Sequence, residues 1–353
     1  MIALKIIALP SILFEEAKTS GLIVAMILFA FDFLILFLYL KIKEKYPELS
    51  LYELIQRFLG KVVAKIIYLL IFIFFICKLS MLMNESVSYM QAIVDEHYNL
   101  LLLLITFLPV ISTLVFSGLK SSARTCEFGF VFIVIGLIVC IFASEISNTL
   151  GELGPILERP KQILSSVFDM SFWFSDFLFI AVLADKIKIE KNMKRRVFGF
   201  AIFACFMVMF LYFIYFRLFR ITAFLHKNAI ADVTQYNRNI GNSGNIDIIS
   251  ILLYMIIIFF QGSLYMHCLK TVYEKIVGYK NSVHSLIVLN LIIVFVQFFL
   301  LFNLERVVNL STSYLKYLNL LAFLVVPIFY ICLLIFDKEK KNAGKIKEIC
   351  KKN

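Results

Sequence analysis

Apolar runs long enough to cross a bilayer recur along this chain, and they constrain its fold more than any motif does. A hydrocarbon core about 30 Å thick takes roughly 20 helical residues. Runs of that kind stand at 20–40, 62–83, 99–117, 124–144, 197–219, 246–268, 284–303 and 311–336, with two shorter ones at 1–14 and 170–185. Counting both short runs, the sequence predicts about ten transmembrane helices. Hydrophobic residues make up 61% of the 353, against about 45–50% in soluble domains. The surplus side chains have lipid to face rather than a core to fill. The polar stretches between runs are too short to hold a soluble domain. The fold class expected is all-α integral membrane, one transmembrane domain over 1–353.

Charge sets the orientation. The net charge is +11, which in a soluble protein suggests nucleic acid. Here six Lys and Arg fall at 41–65, two at Lys120 and Arg124, six at 186–196, three at 270–280 and seven at 338–352. These are alternate connections and the tail, so the basic residues are read as cytoplasmic anchors, with no nucleic acid among the partners. The intervening loops hold acids: Glu15 and Glu16, Glu85, Asp95 and Glu96, Glu145, Glu152 and Glu158, and Asp232 and Asp247. Both termini are expected inside, with 337–353 a basic cytoplasmic tail. The seven cysteines do not form an outward-facing pair and no CxxC occurs, so no disulfide framework is expected. His97, His226, His267 and His284 lack metal-ligand spacing, and no metal or cofactor is expected.

Between the runs, "SLYELIQRFLG" at 50–60 is amphipathic and predicts an interfacial helix. "LGPILERPKQILSS" predicts a small external helix, and "RNIGNSGN" a tight external turn. The two short runs open what would be two groups of five helices, about 1–144 and about 170–336. Short or interrupted helices at matching positions mark inverted-repeat transporters, with the site at the breaks. The other reading is two short tilted helices.

Ionisable residues at membrane depth face the bundle interior as a rule. The candidates are Lys5, Asp32, Lys78, Asp176, Arg217 and Lys316. Arg217 and Lys316 stand near outer ends, where snorkelling accommodates them. Lys78 stands in the outer part of its helix and Asp32 a dozen residues into its own. Lys5 is nine residues from the outer end of its run, near the midplane at about 1.5 Å rise per residue. Asp176 sits in "SFWFSDF" beside Ser171 and Ser175. In a broken helix its carboxylate and the freed carbonyls would receive an ammonium group, and a helix N-terminus a carboxylate. Alternatively, Asp176 pairs with Lys5 or Lys78 and stabilises the bundle. The aromatic rim Phe172, Trp173 and Phe174 suits an apolar amino acid or simply the core. His267 is read as an interfacial core histidine, with a proton relay as the alternative. Catalysis is not indicated: the chain has no nucleophile elbow, Walker sequence or HExxH.

Several stretches, in order, resemble the spore germination permeases, the membrane B subunits of nutrient germinant receptors within the amino acid–polyamine–organocation superfamily. "KEKYPELSLYELIQRFLGKVVAKIIYLL" resembles their link between helices 2 and 3, with Tyr46-Pro47, Leu51, Glu53 and Gly60-Lys61. "GLKSSARTCEFGF" is similar to the run between helices 4 and 5, with Gly118, Ala123, Arg124 and Glu127. "LGPILERP" resembles the loop before helix 6, and Ser175-Asp176 stands where the family often has Gly-Glu. Tyr236, Arg238, Ser263, Leu264 and Tyr265 are similar to the stretch entering helix 8 and the Ser-Leu-Tyr within it. "ALKIIALP" (3–10) resembles the break in helix 1, with Ala3 in place of a Gly.

The resemblance implies a 5+5 inverted-repeat (LeuT-like) fold with helices 1 and 6 unwound at the midplane. The first helix would be truncated at its N-terminal half, leaving either about twenty residues outside this reading frame or an open-sided pocket. A small nutrient, an amino acid, would bind against Ile7, Ala8 and Leu9 of the first break and Phe172, Ser175 and Asp176 of the second. The implied partners are a receptor A subunit and a lipoprotein C subunit in the inner spore membrane. Three readings stay open: a ligand-sensing receptor subunit, a secondary amino acid transporter, and a non-binding scaffold.

Overall fold

The structure is a computed structural model and describes residues 3–47, 49–93, 97, 100–143, 157, 159–183, 186, 192–235, 244–279, 281–299, 308–319, 328, 330 and 332. The helices are α1 (Ala3–Ile6), α2 (Leu9–Ala17), α3 (Gly21–Lys45), α4 (Leu51–Leu59), α5 (Lys61–Ile93), α6 (Leu100–Phe116), α7 (Leu119–Ala143), α8 (Ile163–Asp169), α9 (Leu178–Leu183), α10 (Met193–Phe219), α11 (Ala229–Gln235), α12 (Gly244–Val277) and α13 (Ser282–Phe299). No strand occurs among the described residues. Four stretches, Leu9–Lys45, Lys61–Ile93, Met193–Leu225 and Ile251–Val277, are long and apolar enough to cross a membrane. The pair Leu101–Phe116 and Leu119–Gly136, bent by 118°, passes the same test jointly. The chain is an all-helical membrane protein.

Local chemistry sets the ends of these helices. Pro10 stands in the first turn of α2, where its missing N–H costs nothing. Ser50 and Glu53 form a reciprocal capping box at the start of α4. Gly118 turns the chain between α6 and α7 at φ +93°, a conformation that residues with a Cβ rarely adopt. Ser122 secures that turn by donating to the Leu114 carbonyl at 2.6 Å.

α12 is the central element and packs against α5, α6, α7 and α13. Lipid tails are as apolar as leucine, so helix association in a membrane rests on close packing and interhelical hydrogen bonds. Both are present. Gly129 and Gly136 of α7 admit Phe260 and Leu253 of α12 into the space a Cβ would fill. Phe107 stacks on Phe259 with ring centroids 4.7 Å apart. Asn84 of α5 donates to Gln297 of α13 at 3.0 Å, and Gln297 donates back to the Ser80 carbonyl at 3.1 Å. The outer faces carry large apolar side chains, among them Met26, Ile66, Phe128, Phe206 and Leu291, which is the surface that lipid requires.

Seven of the expected long runs coincide with α3, α5, α6, α7, α10, α12 and α13. The eighth is described over 311–319 and at three further positions. Two expectations are corrected. The run at 62–83 extends to Ile93, because Asn84 and Ser86 satisfy their side chains inside the bundle, Ser86 on the Leu82 carbonyl at 2.6 Å. Glu85 therefore lies in a helix and is fully buried, not in an outer loop. Lys78 is likewise fully buried. Lys316 pairs with Asp169 at 2.5 Å, and Arg217 lies over the Phe213 ring. The turn at 238–243, most of the loop before 159, the acids Glu145, Glu152 and Glu158, and the tail lie outside the described residues.

Candidate functional site

Two interruptions of helix meet in the core. The first is Ile7-Ala8, between α1 and α2; the second is Phe174–Phe177, between the turn Ser171–Trp173 and α9. Both short runs read from the sequence are thus broken helices. Interrupting a helix frees backbone groups that lipid cannot satisfy, and here side chains and a neighbouring helix end satisfy them. The Ile7 carbonyl accepts the N–H of Ala229 at 3.0 Å, and the Lys5 carbonyl accepts the Tyr212 hydroxyl at 2.7 Å. In the second break, Asp32 accepts the Ser175 N–H at 2.6 Å, and Lys78 donates to the Phe174 carbonyl at 2.8 Å.

Charges bridge the two breaks. Lys5, just before the first, pairs with Asp176 in the second. Lys78 of α5 reaches the other oxygen of Asp176 at 3.3 Å, and the Tyr265 hydroxyl of α12 donates to that same oxygen at 2.9 Å. Gln261, one turn before Tyr265, donates to its hydroxyl at 2.7 Å. All of these groups are buried. Each ammonium also lies over aromatic rings: Lys5 at 4.8 Å from Phe174 and 5.8 Å from Phe29, Lys78 at 5.2 Å from Phe172 and 5.6 Å from Phe74. An ammonium is attracted electrostatically to a ring face, and more strongly when desolvated. Two cations, Lys5 and Lys78, stand against two carboxylates, Asp32 and Asp176.

The sequence-derived candidates Lys5, Asp32, Lys78, Phe172, Ser175 and Asp176 come together here. Ile7 and Ala8 form the first break, and Leu9 begins α2 inside the core. Asp176 pairs with both lysines where the sequence left a choice between them. Tyr212, Phe29 and Glu85 were missed. Tyr212 lies in the aromatic-rich α10 with nothing local to single it out, and Glu85 stands in a polar stretch that reads as a loop. At the second break Oδ2 of Asp32, the Ser175 hydroxyl and Nε1 of Trp173 are buried without a hydrogen-bond partner, as are both carboxylate oxygens of Glu85 on α5.

A cleft of about 800 Å³ lies among α3, α7, α10 and α12. Lys43, Glu127, Phe130, Phe177, Gln261 and His267 are in its wall. Gln261 is thus shared: it faces the cleft and holds the tyrosine that holds Asp176. His267 is hydrogen-bonded to Ser122 at 3.0 Å, joining α12 to α7. Among the described residues no three His, Cys, Asp or Glu side chains converge as a metal ion needs.

A family model described as spore germination protein (Spore_permease) matches residues 1–307. No curated protein matches the chain.

Proposed function

Because this chain belongs to the spore germination protein family, we propose that it is the membrane subunit of a nutrient-germinant receptor and binds an amino acid where its two helix breaks meet. It is a germination-related membrane protein; the ligand, the site and the assembly are the proposal. In this reading α1–α2 and 163–183 are the matching broken helices of a 5+5 inverted repeat. The observation that carries it is the Lys5–Asp176 pair, which joins one break to the other inside an aromatic enclosure.

In this reading that pair also takes part in binding. Asp176 is already engaged by Lys5, Lys78 and Tyr265. A ligand ammonium therefore takes the place of Lys5 between Phe29, Phe174 and Asp176, and the released Lys5 meets the ligand carboxylate. Exchanging an internal cation for an external one shifts α1 relative to α5 and α9, and a ligand drives such a shift only through its different affinity for the two arrangements. The shift would pass to an A subunit and a lipoprotein C subunit in the inner spore membrane.

The cleft that Gln261 helps to line favours a second reading, a secondary amino acid transporter in which it serves as part of the path. Proteoliposomes holding the full chain separate the two. A receptor subunit binds labelled L-leucine without accumulating it, a transporter accumulates it, and Asp176→Asn lowers the affinity in either case. If the chain binds no nutrient and Asp176→Asn leaves germination unchanged while deletion abolishes it, the chain is a scaffold.

A further inference from the structure

Glu85 is the ionisable group that the Lys5–Asp176 cluster does not use. It lies two helical turns beyond Lys78 on α5, fully buried, and both of its carboxylate oxygens lack a hydrogen-bond partner. Its neighbours in the same stretch are all paired. Asn84 bonds Gln297, Ser86 bonds the Leu82 carbonyl, and Ser88 bonds Asn228. Glu85 lies within electrostatic range of Lys78 on its own helix, of Tyr212 on α10 and of Tyr254 on α12. From α13 the polar group reaching this part of α5 is Gln297, which is neutral. Tyr212 is the residue whose hydroxyl holds the Lys5 carbonyl at the first break, so Glu85 and the first break have Tyr212 as a common neighbour, electrostatic in one case and hydrogen-bonded in the other.

Charge balance decides its state. Lys5 and Lys78 are matched by Asp32 and Asp176, and Lys78 is held by the Phe174 carbonyl and Asp176. An ionised Glu85 would be a surplus negative charge in the interior. An isolated buried carboxylate is so costly that it takes up a proton or a cation. An intramembrane carboxylate of this kind is a functional site by default.

We propose that Glu85 is a proton-exchange site: it carries a proton while the cluster stands as described and releases it when a primary ammonium enters beside it. The step balances: Glu85–COOH and R–NH3⁺ give the Glu85–COO⁻ and R–NH3⁺ pair, and one proton passes to water. No oxidation or bond to carbon is involved. The entering cation is a primary ammonium other than the nutrient ammonium that the proposed reading seats at Asp176; the proton on Glu85 does not rest on that reading.

The test is infrared spectroscopy of the full chain in lipid nanodiscs. At neutral pH the protein shows a protonated-carboxyl C=O band that Glu85→Gln removes and Asp32→Asn retains. Labelling glutamate with carbon-13 shifts the band and labelling aspartate does not, which assigns it without any substitution. n-Butylammonium then depletes the band and releases about one proton per molecule bound, whereas n-butanol does neither. No glutamate band in the unlabelled protein overturns the proton site. A glutamate band indifferent to n-butylammonium overturns the exchange. If the band responds as stated and L-leucine fails to bind, the nutrient reading fails and the exchange site stands.

Discussion

The carboxylate of Asp32 accepts the backbone N–H of Ser175 at 2.6 Å, and Ser175 holds a φ of +68°. The second break is therefore pinned from α3 at a residue whose backbone is left-handed. An L-residue in that conformation carries a cost of about 1–2 kcal/mol that glycine avoids. The Ser175 hydroxyl is buried and makes no hydrogen bond, so its loss forfeits none. Ser175→Gly is expected to raise the thermal midpoint in detergent, by the equivalent of about 1 kcal/mol. Ser175→Val, β-branched at positive φ, is expected to lower it. A lowered midpoint in the glycine variant would count against strain at this position.

The Lys5–Asp176–Lys78 group predicts a second effect. Removing one member of a buried ion network leaves uncompensated charge and costs about 3–5 kcal/mol. Asp176→Asn leaves two buried ammonium groups facing the same amide. Adding Lys5→Met removes one of them, and residues sharing a network couple by about 0.5–3 kcal/mol. The double variant is therefore expected to unfold later than Asp176→Asn alone. Strict additivity of the two substitutions would show that Lys5 and Asp176 do not share an energetic unit.

How much of this was legible beforehand depends on the length scale of the signal. The long helices follow from apolar runs, a local property. The breaks are expected from run length and from the resemblance at 3–10 and at Ser175-Asp176, stretches that contain or overlap the two interruptions. Lys5, Asp32, Lys78 and Asp176 were legible because charge inside an apolar run is conspicuous. Tyr212 and Phe29 were not legible as site residues, and Tyr265 stood out only through the family resemblance, since tyrosine and phenylalanine are at home in any such run. Only the tertiary fold carries Tyr212 to the Lys5 carbonyl across 207 positions. Glu85 was misread because "NESVSYMQ" has loop composition, and helix–helix hydrogen bonds overrode that composition.

Two glycines predict opposite responses. At Gly129 an added side chain would collide with Phe260 of α12, a ring already packed in the helix interface. Gly129→Val is expected to cost about 1–3 kcal/mol through overpacking. At Gly199, exposed in the middle of α10's first half, an added Cβ meets nothing within 4 Å. Gly199→Ala is expected to gain about 0.4–1 kcal/mol by restricting the unfolded chain. Thermal midpoints of the two variants measured side by side check this, and a shift of the same sign at both positions would contradict it.

The capping box of α4 predicts a dependence on pH. Glu53 accepts the Ser50 N–H at 3.0 Å and a hydrogen bond from Lys275 in the last turn of α12 at 3.2 Å. The Ser50 backbone bond, followed by the contact with Lys275, holds its carboxyl below the usual glutamate range. A carboxylate depressed in the folded state contributes stability that is complete above the unfolded value, about 4.3. That contribution is lost as pH falls through the folded value. It is therefore constant through neutral pH and declines only in acid. Because Glu53 is partly exposed, solvent screens the contribution, and its effect is local fraying of α4 rather than global unfolding. Amide hydrogen exchange over residues 50–60, corrected for intrinsic rates, should be faster in Glu53→Gln than in the parent at neutral pH. The two should converge in acid, where the parent's carboxyl is protonated and can no longer attract Lys275. Equal protection at neutral pH would mean that α4 is held by its apolar face alone, through Leu51, Leu54 and Ile55.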